Sequence, residues 1–148
     1  EAVAATIDKK MSSLLFLDQL NKKRYLNFFE EHIRTIYSRF YTRNGLELAK
    51  RNESDLAMPL LLKAIEIEPT NREALFALGV IYLDRNICDG ARVAFEQASE
   101  ADKNYWQALE GLGKVYETCF DDEMKALEFL QKSKMIRLKL SNDSLEEL

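Results

Sequence analysis

A 34-residue period constrains this chain more than any other feature. In "NREALFALGVIY" (71–82) and "NYWQALEGLGKVY" (104–116), Leu75, Leu78, Gly79 and Tyr82 return as Leu109, Leu112, Gly113 and Tyr116, each displaced by 34 positions. One step back from Gly79 falls on Gly45, and the same frame aligns Ala57 with Ala91, Leu61 with Phe95 and Ala64 with Ala98. A period of this length is one helix–turn–helix unit. Within it, Leu75, Leu78 and Tyr82 keep the i, i+3, i+7 spacing of a helical stripe. A glycine inside a helix costs about 1 kcal/mol against alanine. Three at one phase therefore call for a crossing too close for a Cβ. One hairpin cannot bury its outer face, so the units must stack.

These residues resemble the tetratricopeptide repeat family: a large residue, Leu-Gly and Tyr on a first helix, then Ala, a large apolar residue and Ala on a second, closed by Pro. The frame sets repeats at 38–71, 72–105 and about 106–140. The second matches best, with Lys103 in place of the closing Pro. The first keeps Tyr41, Gly45, Ala57, Leu61, Ala64 and Pro69. The third runs one residue long through "CFDDE" before Ala126 and Leu130, and Ser133 replaces its second Ala. Turn signals fall at 51–55, 69–71, 84–90, 102–104 and 120–122, and Asn71 is placed to cap the helix that follows. The expected fold is all-α, an α-solenoid of three helical hairpins.

The resemblance also implies a concave groove lined by the first helix of each repeat. Carried over, its members include Arg39, Leu46, Ala49, Lys50, Glu73, Phe76, Val80, Leu83, Asp84 and Lys114. Family members that grip the acidic tails of heat-shock chaperones need Lys, Asn and Arg where this chain has Thr42, Leu46, Ala77, Gln107 and Gly111. That clamp is absent. The implied groove is instead an apolar strip, Leu46, Ala49, Phe76, Val80 and Leu83, flanked by charges. It suits an apolar peptide or amphipathic helix from a partner protein, or a segment of the same chain.

Residues 1–37 fall outside the repeat frame. A short helix is expected over 1–20, and one long helix from about 21 to 51, about 45 Å at 1.5 Å per residue. Leu26, Phe29, Ile33, Ile36 and Phe40 follow a 3-4-3-4 seam. It calls for cover, from 7–20 folding back (Ile7, Met11, Leu14, Leu15) or from a second copy as a homodimer. A small secretion-type chaperone has the same layout. At the far end the last repeat helix is expected to run past Leu138, with 141–148 as a tail or partial capping helix.

Composition narrows the rest. The chain is 47% hydrophobic and 31% charged, with a net charge of −4 and a pI near 5.2. That is ordered and argues against a nucleic-acid surface. The apolar run at 14–17 is too short to span a bilayer, and no small-residue cleavage site follows it. Cys88 and Cys119 make no CxxC and no disulfide framework, so they are expected as reduced thiols in a cytoplasmic protein. His32 is the only histidine and cannot build a metal site with the usual ligand sets. No phosphate loop, nucleophile elbow or metalloprotease signature occurs. The chain reads as a non-catalytic interaction scaffold without a cofactor.

Overall fold

The computed structural model describes the backbone of residues 26–146 and the side chains of 29–143. The helix expected over 1–20, with Ile7, Met11, Leu14 and Leu15, lies outside the described residues. Six α-helices follow one another: α1 (Leu26–Lys50), α2 (Ser54–Ile67), α3 (Arg72–Asp84), α4 (Cys88–Ala101), α5 (Trp106–Thr118) and α6 (Glu123–Glu146). No strand occurs among the described residues. The chain divides into two compact units, Glu1–Ile36 and Tyr37–Leu148. In the first, the helical turns are braced by Arg34 on Glu30 and by the Thr35 hydroxyl donating to the Glu31 carbonyl.

The second unit is three stacked hairpins, α1/α2, α3/α4 and α5/α6. Each first helix ends in the same way. Asn52, Asn86 and Asp121 take φ of 60°, 57° and 52°, the left-handed region that short polar side chains tolerate best after glycine. The amides that follow close the turn: Glu53 donates to the Leu48 carbonyl, Ile87 to Tyr82 and Asp122 to Tyr116. The third closure spans one residue more, which is where the extra residue of the third repeat sits.

The glycines occupy equivalent tight crossings. A Cβ built on Gly45 would stand 2.8 Å from Leu61 Cδ2, one on Gly79 2.7 Å from Phe95 Cε1, and one on Gly113 2.9 Å from Leu130 Cγ. Each first helix therefore lies directly against the large residue of its own second helix. Gly111 adds a second close approach to Phe95, at 2.6 Å, from the next repeat. Phe95 is thus held between two helices that both lack a side chain at the contact.

The two junctions between repeats differ in chemistry. Between the first and second, Asn71 caps α3, its side-chain oxygen accepting from the Ala74 amide at 3.0 Å. Its amide nitrogen donates to Ser38 Oγ at 2.6 Å and Thr42 Oγ1 at 2.8 Å, while Ser38 donates to the Ala64 carbonyl. Asn71 and Ser38 together so join α1, α2 and α3. Between the second and third, Leu75, Ala98 and Ala108 are buried together, with Phe76 and Tyr105 packed against them. Ala91, Phe95, Leu112 and Val115 form an adjoining cluster.

Cys88 and Cys119, expected as reduced thiols, are joined in a disulfide between the start of α4 and the end of α5, with Cα atoms 5.8 Å apart. Stacking the third hairpin on the second brings those two helix ends together, a proximity that their separation of 31 residues conceals.

Candidate functional site

A cavity of the second unit lies beside the polar junction. It measures about 890 Å³ and is bounded by Arg39, Thr42, Arg43, Leu46, Glu47 and Lys50 of α1, by 68–73, and by Ala101 and Asp102. Arg39, Arg43, Leu46 and Lys50 recur at helical spacing, which turns all four to one side of α1. Arg39, Arg43 and Lys50 form no ion pair among the described residues, whereas Glu47 is held by Arg51. On the facing wall Arg72 pairs with Asp102 and lies over the Tyr105 ring at 5.1 Å. Burial, then the nearby carboxylate of Glu73, pushes the Tyr105 hydroxyl above the ordinary phenol range, against the opposing pull of Arg72. Tyr105 therefore stays neutral and supplies a ring, not a charge.

Of the groove residues expected from the sequence, the structure brings Arg39, Leu46, Lys50 and Glu73 to this cavity. Two others make apolar contacts away from it. Phe76 packs against Phe95 and Tyr105, with centroids 5.5 and 5.6 Å away, and Leu83 packs on the Phe95 cluster. Both are half-buried. Ala49 is half-buried, and Val80, Asp84 and Lys114 are exposed, but none of these four borders the cavity. The cavity wall is mostly charged. Arg43, Glu68 and Asp102 were not singled out from the sequence; the 39, 43, 46, 50 spacing was the available signal.

The clamp positions are equally uninviting to a terminal carboxylate. Thr42 donates to the Ser38 carbonyl and accepts from Asn71, and Ala77 and Gly111 are buried. In the N-terminal seam, Phe29, Ile36 and Phe40 are exposed and Ile33 is half-buried, while the side chain of Leu26 lies outside the described residues. Among the described residues no group of three His, Cys, Asp or Glu side chains could hold a metal, and no helix is long and apolar enough to cross a membrane.

No family model matches the chain. It is 30% identical over 93 residues to anaphase-promoting complex subunit 3 of Schizosaccharomyces pombe, a match covering 63% of this chain and 14% of that protein. This chain therefore spans about one seventh of the length of that relative. Among solved structures, MamA superposes with a TM-score of 0.62 at 26% identity, covering 69% of this chain and 58% of MamA. YrrB, a TPR protein with an unusual peptide-binding site, gives 0.62 at 21%, covering 84% and 69%. The second TPR of Spaghetti (RPAP3), bound to an HSP90 peptide, gives 0.63 at 16%, covering 68% and 92%. The fold class is that of tetratricopeptide repeats. The chain has that fold, as a three-hairpin helical solenoid.

Proposed function

We propose that the chain is a non-catalytic module that holds an amphipathic segment of another protein along the first helices of its hairpins, with the acidic side of that segment against α1. The observation that carries this reading is the row of Arg39, Arg43 and Lys50 on one cavity wall with no carboxylate of their own. Unpaired cations at helical spacing favour carboxylates on a partner. Leu46 inside the cavity and Val80 beyond it offer the apolar contact that the sequence suggested. Solved relatives of the same fold, YrrB and RPAP3, bind peptides and support the mode in general. The cytoplasmic location expected from free thiols loses that ground with the disulfide formed. Thiol labelling after acid quench of cells tells which state is kept there.

Selection of a random-peptide phage library on the whole chain tests the binding mode. The enriched peptides should combine apolar and acidic residues. Arg39→Glu with Arg43→Glu should weaken them at least about tenfold, on the order of 1.4 kcal/mol, with unchanged circular dichroism. Enriched peptides that bind the double variant equally well would refute the proposal.

A further inference from the structure

The repeat frame reveals a helix face that is built to be covered and is open. Helices α4 and α6 are equivalent second helices. On α4, Phe95 is 1% exposed beneath α5; its counterpart on α6, Leu130, is 39% exposed. Beside it Met124, Leu127, Met135 and Leu138 are 79, 54, 69 and 50% exposed. With Gln131 between them they run along one side of α6 for about 21 Å. Apolar stripes of this kind mark association surfaces.

Charge indicates the occupant. Over 121–130, Asp121, Asp122, Glu123 and Glu128 outweigh Lys125, giving 1 − 4 = −3; over 131–140, Lys132, Lys134, Arg137 and Lys139 give +4. The helix dipole accounts for acids in the first turn, but not for four cations concentrated in the middle of a helix that continues to Glu146. Glu123, Lys134 and Lys139 form no ion pair among the described residues. We propose that α6 is the dimer interface of two copies of this chain, the two helices packed antiparallel. That arrangement sets the acidic 121–130 stretch of each copy beside the basic 131–140 stretch of the other and buries the apolar stripe against itself. A parallel pairing would oppose +4 to +4. The two-fold axis then passes near Gln131, whose amide meets its own copy, giving an isologous contact that closes at two chains. The dimer leaves the α1 cavity of each copy out of the interface.

Sedimentation equilibrium of the whole chain tests this. The expected result is a dimer with a dissociation constant in the micromolar range, weakened about tenfold or more when NaCl is raised from about 0.05 to about 0.5 M. Leu127→Glu with Leu138→Glu should raise the constant at least about 30-fold at unchanged circular dichroism, whereas Ile36→Glu should leave it as it is. The unmutated chain provides the salt series even where a variant fails to fold. Spin labels on Gln131→Cys should lie close across the dimer, and on Met124→Cys be offset by roughly 21 Å along the helix axis and so clearly farther apart. A chain that is monomeric at about 200 µM, a dimer abolished by Ile36→Glu but not by the α6 pair, or equal label distances at the two positions would each overturn the proposal.

Discussion

The two junctions of the array solve one geometric problem by different chemistry. Between the first and second repeats, the fastening is Asn71, bonded to Ser38 and Thr42 and capping α3. Between the second and third, Phe76, Phe95 and Tyr105 interlock, and Cys88–Cys119 ties the outer edge. A cavity of about 890 Å³ lies beside the polar junction. A fixed 34-residue frame thus sets where hairpins meet without setting what joins them.

The contrast can be broken most forcefully at Phe95. Phe95→Ala should cost about 3–5 kcal/mol in chemical denaturation, since the ring fills the space between Gly79 and Gly111. Opening the disulfide comes next. A closed loop of 31 residues stabilises by about 3–4 kcal/mol in the chain-entropy account. Dithiothreitol should lower the denaturation midpoint accordingly and should leave a Cys88→Ser, Cys119→Ser protein untouched. At the polar junction, Asn71→Ala removes a cap and two bonds between helices, for about 2 kcal/mol. Hydrogen exchange should quicken at the start of α3 and not at α5, and a uniform increase would show the junctions to be coupled. The smallest effect has the opposite sign. Ser133 is buried with its hydroxyl unpaired where the first two repeats have Ala64 and Ala98. Ser133→Ala should stabilise by about 1 kcal/mol, seen as a raised melting temperature.

What could be read from the residues was whatever depends on neighbours along the chain. The glycine crossings, the Asn71 cap and the longer third turn are local consequences of spacing. The positive-φ residues Asn52, Asn86 and Asp121 also follow the frame, at 34 and then 35 positions, a regularity carried by the short polar residues of the turns. What could not be read depends on which side chains meet across hairpins. Helical position puts Phe76 on the groove side; Phe95 and Tyr105 pull it inward. The pairing of Cys88 with Cys119 is likewise a product of stacking.

That bond also bears on mechanics. Tension applied to the two ends of the chain is carried through the sulfurs, past the residues between them. Those 31 steps, each about 3.5 Å when drawn straight, withhold roughly 100 Å of contour from a single-molecule stretch until a reductant is added. The oxidised protein is therefore a shorter tether than its length suggests, and the missing extension, restored by one chemical step, would measure the covalent ring directly.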